Sequence, residues 1–175
     1  DKLMQYVEDA ETEESLMKYT EQWVQGKLSN FDYLMKLNYH SYRSRSDLTQ
    51  YPVFPWVIKD YESFVLDLNN EETFRDLSKP MGALNEERLI DYKKRYNEIP
   101  EGEKYLYGTH YSAPGYVIGY LFRECPRWML KFQGGHFDNP NRLFKGIEME
   151  FQSCLTNPGN VKELTPEFFQ PEEEN

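Results

Sequence analysis

Two prolines three residues apart inside an apolar run restrict the fold of this chain more than any other feature. The run is Leu48-Thr49-Gln50-Tyr51-Pro52-Val53-Phe54-Pro55-Trp56-Val57-Ile58. Pro52 and Pro55 each remove a backbone donor and push the preceding residue out of the helical region. A helix here would break twice, and a central strand would lose ladder bonds. Tyr51, Val53, Phe54, Trp56, Val57 and Ile58 are nevertheless too apolar for water. The run therefore reads as an extended, proline-stiffened segment in a core, with Pro52, Phe54 and Pro55 as structural residues. Its backbone groups must find partners outside a regular ladder, because unpaired buried backbone is costly.

A second run, Thr73-Phe74-Arg75-Asp76-Leu77-Ser78-Lys79-Pro80-Met81-Gly82-Ala83-Leu84-Asn85, is as irregular. Arg75, Asp76 and Lys79 are charged residues in apolar surroundings. An arginine supplies five donors and an aspartate accepts them two at a time, so an internal network that satisfies irregular backbone is the favoured reading. A polar patch facing a partner is the alternative, and the two agree if the trio sits at a rim.

The rest of the chain reads as helices. Leu16, Thr20, Trp23 and Val24 share one face of a helix over 13–25, which Gly26 ends. Ser29 and Asp32 have capping-box spacing before a helix over 30–42 that buries Phe31, Leu34, Met35, Asn38 and Tyr42. A short strand-like piece is expected at Phe64–Leu68. Asn85 caps a helix over 86–97 with Leu89, Tyr92 and Tyr96 as its buried stripe. Ser112 caps a nearly all-apolar helix over 113–124, expected to be central. Pro126 opens a helix to residue 133, which Gly134-Gly135 stops. Asn139-Pro140 opens a helix over 140–155 that buries Leu143, Phe144, Ile147, Phe151 and Cys154. Thr165-Pro166-Glu167 opens one last short turn.

A chain of 175 residues suits one domain that buries about 70% of its unfolded surface. At 16% aromatic residues, disorder is excluded as the general state. The net charge of −10 argues against nucleic acid and against anionic lipid as direct ligands. No apolar stretch approaches the ~20 residues that span a bilayer. The start at Asp1 and the missing leader are expected of an excised segment. Cys125 and Cys154 read as buried free thiols of a reducing compartment. His40, His110 and His136 have no His or Cys at ligand spacing, so neither a metal nor a cofactor is expected. His110 reads as a structural imidazole bonded to backbone. Cys125 or Cys154 beside a histidine lacks any local signature of nucleophilic catalysis, and Ser112 lacks the glycines of a nucleophile elbow.

Leu48–Ile58 followed by Thr73–Asn85 resembles the central signature of the BEACH domain. Four further stretches resemble the same family in the same order: Leu28-Ser29-Asn30-Phe31-Asp32-Tyr33-Leu34, Tyr107-Gly108-Thr109-His110-Tyr111-Ser112, Gly135-His136-Phe137-Asp138-Asn139-Pro140-Asn141-Arg142, and Val161-Lys162-Glu163-Leu164-Thr165-Pro166-Glu167-Phe168-Phe169. The wording around Leu84–Leu89 and Tyr111–Tyr116 is most similar to the branch containing the factor associated with neutral sphingomyelinase activation. The resemblance implies a mainly α, multihelical fold with an irregular extended core wrapped by helices. It places a polar acidic segment at 1–14, the BEACH region at 15–169 and an acidic end at 170–175. The family's domain ordinarily continues through an asparagine-rich loop, so either a fragment or a truncated protein with part of its core uncovered is expected.

The resemblance further implies a non-enzymatic scaffold module in vesicle or lysosome traffic or in receptor-proximal signalling. It implies a cytoplasmic protein, peripheral to membranes. Its partners would be a PH-like domain and a WD-repeat propeller of the same polypeptide, together with other trafficking or signalling proteins. Tyr51, Trp56, Arg75 and Lys79 are the expected partner-facing residues, since aromatics and arginine dominate binding hot spots. Asp76, Pro80 and His110 join Pro52, Phe54 and Pro55 as structural core. The rival readings are a hydrolase or lipid-modifying enzyme using His110, Asp138 and Cys125, and a direct lipid-binding module, which would need a basic groove.

Overall fold

Proline, glycine and capping residues set most helix limits in the computed structural model, which describes residues 13–139 and 143–170. Among those residues the fold is mainly helical, with six α-helices, three short 3-10 turns and no β-strand. The helices are α1 (Glu13–Val24), α2 (Asn30–His40), α3 (Glu86–Glu98), α4 (Pro114–Leu121), α5 (Pro126–Phe132) and α6 (Ile147–Thr156). The turns are Glu71–Thr73, Met81–Ala83 and Pro166–Phe169. The chain divides into two units, one within 1–54 and 165–175, the other spanning 55–164. The proline-rich run therefore passes from the first unit to the second between Phe54 and Pro55.

In the first unit, Gly26 closes α1 at a φ of +70°. The Ser29 hydroxyl accepts from Asp32 N at 3.0 Å and caps α2. Trp23 stacks on Tyr33 with ring centroids 4.6 Å apart, which holds α1 on α2. Helix α2 stops at His40 rather than 42. Arg43 N donates to Asn38 O at 2.9 Å, and Tyr42 takes the left-handed φ of 59° usually left to glycine. Tyr42 is exposed rather than buried. Tyr51, Pro52 and Phe54 are buried here, and Phe54 packs on Phe31 and Phe169.

In the second unit, Asn85 caps α3 by accepting from Arg88 N at 3.1 Å. Tyr92 of the expected stripe is buried, Leu89 is half-buried and Tyr96 is exposed, while Arg88 joins the buried face. Ala113, not Ser112, occupies the N-cap of α4, and Pro114 starts the helix without a side-chain cap. Val117, Tyr120 and Leu121 of α4 are buried. Gly134 and Gly135 end α5 at φ of 74° and 84°. The helix expected from 140 begins at Ile147: Gly146 is extended, and Phe144 meets the Tyr120 ring edge-on at 5.6 Å instead of joining the helix. Residues 140–142 of that expectation lie outside the described residues. So do most of the acidic segment at 1–14 and the end at 171–175. No strand forms at Phe64–Leu68, where the chain makes a series of turns with its apolar side chains exposed.

Candidate functional site

The proline-rich run obtains its backbone partners from side chains. In the first unit, Asn38 acts as a surrogate strand. Its Oδ1 accepts from Val53 N at 2.8 Å and its Nδ2 donates to Val53 O at 3.0 Å. The Tyr51 hydroxyl donates to Glu167 at 2.9 Å, and Arg43 donates to Tyr51 O at 3.1 Å.

In the second unit, Trp56 is fully buried. Its backbone N–H donates to Glu163 Oε2 at 3.0 Å and its indole N–H to Lys162 O at 3.0 Å. Arg75, whose side chain is 4% exposed, forms an ion pair with Glu163 at 2.7 Å. It also donates to Trp56 O at 3.4 Å and Lys79 O at 3.0 Å. One antiparallel bridge joins Ile58 to Phe74, and Arg75 N donates to Val57 O at 2.8 Å. Arg88 serves the next turn in the same way, donating to Met81 O at 2.8 Å, Asn157 O at 3.0 Å and Asn160 O at 3.2 Å. Two arginines thus perform the bonding that a sheet would otherwise supply.

A third polar cluster stands on α6. Lys162 pairs with Glu150 at 2.5 Å and lies over the Tyr116 ring at 4.8 Å. Asn160 donates to Ser153 Oγ at 2.9 Å and to Glu150 Oε1 at 3.2 Å. Beside it, burial pushes the Cys154 thiol up to about 12 and raises Tyr120 as well. Cys154 is buried as expected, whereas Cys125 is exposed: it is the N-cap of α5, a helix whose buried residue is Met129.

The expected partner-facing residues separate. Trp56, Tyr51 and Arg75 are 0%, 5% and 6% exposed and present almost no surface. Lys79 is exposed and pairs with Asp76 at 3.4 Å. The charged trio therefore splits, with Arg75 inward and Asp76 and Lys79 at the rim. Of the expected structural residues, Pro52 and Phe54 are buried and Pro55 is partly so. Asp76, Pro80 and His110 are exposed instead. Asp76 is drawn out by a local turn, accepting from Ser78 N at 3.0 Å, and His110 Nδ1 accepts from Ser112 N at 3.1 Å, a short-range bond that needs no burial.

The residues of the enzyme reading do not share a cavity. His110 lines a cleft of about 340 Å³ with Met81, Tyr107 and Glu163. Asp138 lines another of about 460 Å³ with Lys162 and Glu150. Cys125 lines neither. Among the described residues, no group of three or more His, Cys, Asp or Glu is placed to hold a metal ion. No helix of the described residues is long and apolar enough to cross a membrane. Sequence reasoning missed Asn38, Arg88 and Glu163 as functional parts of the frame. Asn38 carried a signal as a polar residue on the apolar face of its helix, and Arg88 as a charged residue four positions before the buried Tyr92.

The Beige/BEACH domain family model matches residues 21–174. The chain is 48% identical over 153 residues to BEACH domain-containing protein B of Arabidopsis thaliana, covering 85% of this chain and 6% of that protein. It is 49% identical over 158 residues to Beige protein homolog 1 of Saccharomyces cerevisiae, covering 86% and 7%. Against BEACH domain-containing protein lvsD of Dictyostelium discoideum it is 46% identical over 153 residues, covering 86% and 5%. The chain belongs to the BEACH domain family. It spans less than a tenth of the length of these relatives, and the comparisons carry the family, not the branch resembled in the sequence.

Proposed function

We propose that this chain is a non-enzymatic protein-interaction module of a larger BEACH protein, working in membrane traffic or receptor-proximal signalling. The observation that supports this best is where the family's signature residues spend their polar atoms. Glu163 accepts from Trp56 N and Arg75, while Trp56, Arg75 and Arg88 donate to main-chain carbonyls. Such a frame holds surface loops rigid and offers no nucleophile beside a base. Two of the three relatives, those of Arabidopsis thaliana and Dictyostelium discoideum, are named for their BEACH domain. Peripheral, cytoplasmic placement and a PH-like domain and WD-repeat propeller in the same polypeptide complete the proposal. The relatives' much greater length leaves room for both.

Turnover assays test this reading. The 175-residue chain is incubated with ester, amide, phosphodiester and sphingomyelin substrates. The expected result is no turnover above buffer. Turnover that disappears in His110→Ala, Asp138→Ala or Cys125→Ala, with the fold retained, would replace the scaffold by the enzyme reading.

A further inference from the structure

The chain leaves the frame at Lys59 and returns at Thr73, closing the gap with Lys59 N to Thr73 O at 2.9 Å and the Ile58–Phe74 bridge. Between these points it displays apolar side chains instead of hiding them. Phe64 is 103% exposed, Val65 77% and Leu68 66%. The display is held in shape. Asp60 Oδ1 accepts from Ser63 N at 3.0 Å, Asp67 Oδ1 from Asn69 N at 3.0 Å, and Asn70 Oδ1 from Glu72 N at 3.0 Å. The Thr73 hydroxyl donates to Asp67 O at 2.7 Å. Three such turns order a loop that has no regular structure, so the apolar tip is presented with little ordering entropy left to lose.

The base of the loop is also one wall of a cleft of about 440 Å³. Tyr61, Leu84, Phe151 and Leu155 supply apolar lining, with Asp60, Glu62, Glu72 and Asp76 against Lys59, Lys79 and Arg75, the last already paired with Glu163. Both lysines are already paired, Lys59 with Glu72 at 2.6 Å and Lys79 with Asp76 at 3.4 Å. Within residues 59–72 one lysine stands against five acids, Asp60, Glu62, Asp67, Glu71 and Glu72. An exposed apolar cluster ringed by excess acid is complementary to an apolar face flanked by lysine or arginine, and it repels anionic lipid.

We propose that the 61–70 loop and the adjoining cleft form a docking surface for a basic, apolar-faced peptide segment of a partner protein. The loop tip meets the apolar face, the cleft takes an aromatic or branched side chain, and the acids meet flanking lysines or arginines. This rests on the interaction-module reading and adds to it the surface and the chemistry of the partner.

A displayed library of random 12-residue peptides, selected on the intact 175-residue chain, tests the proposal. The expected peptides carry apolar residues beside two or more lysines or arginines. Their binding falls about tenfold or more in Phe64→Ser/Leu68→Ser and in Glu62→Lys/Glu71→Lys, as for central interface residues, and weakens with added salt. The replaced side chains are exposed, so thermal midpoints stay close to that of the parent chain. The charge-reversal pair reads the surface without touching its apolar residues. Selected peptides without basic residues, equal binding to both variants, or no selected peptide each overturn the proposal. So does loop-dependent self-association, or loop-dependent binding to phosphatidylcholine vesicles. Equal binding to both variants would leave the interaction-module reading standing, whereas turnover in the assays above would remove that reading.

Discussion

Arg75 and Glu163 lie 88 positions apart in the chain and 2.7 Å apart in space. The pair is nearly dry, with side-chain exposures of 4% and 13%. Removing one member strands the other, so Arg75→Met is expected to cost about 3–5 kcal/mol in urea unfolding. Glu163→Gln keeps an acceptor for Trp56 N and is expected to cost less, about 1–3 kcal/mol. A loss from Glu163→Gln equal to that from Arg75→Met would show that charge, not hydrogen bonding, dominates. The thiols make a second prediction at this scale. Cys154 is buried with its pKa raised by burial, while Cys125 is exposed. One thiol per chain should react with an aromatic disulfide reagent at neutral pH, and two after denaturation. The same burial gives an alkaline limit. Cys154 and Tyr61 keep their protons up to about 12, above the ordinary values of 9.0 and 10.0. Unfolded chains release those protons first, so stability is full below about pH 9 and is lost as pH rises toward 12. The urea midpoint at pH 11 should lie below that at pH 8, and Cys154→Ala should reduce the difference.

Helix ends illustrate what an element inherits from its own residues. Ser29, Asn85, Gly26 and Gly134 sit at the caps their side chains or torsions suit, and these were legible because capping is decided within a few residues. The start of α6 was not. Gly146 is extended, and Phe144 leaves the helical path for the Tyr120 ring, a choice made by a neighbour on another helix. Residues 64–68 were misread for a related reason, since β-branched and aromatic side chains form a strand only where another strand pairs with them. Asn38 carries the element-scale prediction. Asn38→Ala leaves Val53 N and O without their side-chain partner and is expected to cost about 1–3 kcal/mol, read by thermal or urea unfolding. Met81–Ala83 carries another. A methyl group on Gly82 would stand inside the Tyr107 ring, so Gly82→Ala should cost about 1–3 kcal/mol by overpacking, and Tyr107→Leu should recover part of it.

At the scale of the whole molecule, the 55–164 unit depends on its last few residues. Lys162 O receives the Trp56 indole, Glu163 receives Arg75, and Asn160 O receives Arg88. A chain ending at Asn160 lacks the first two and should lose its near-ultraviolet circular dichroism, even where helical far-ultraviolet signal remains. Retained aromatic signal would mean that the proline-rich run folds without its distant partners. Local order alone determined the helical class, the caps and the refusal of Pro52 and Pro55 to join helix or strand, because backbone sterics act between near neighbours. The matched family segments were likewise legible, being words of sequence. Which residues those segments bury was settled only by tertiary structure. Trp56 and Arg75 carry both a core and a partner-facing reading in sequence and lie in the interior, while Asp76 and His110, expected in the structural core, face solvent. The physical reason is that an irregular buried backbone takes its hydrogen bonds from side chains far away in sequence. No local pattern records which arginine, asparagine or glutamate will arrive.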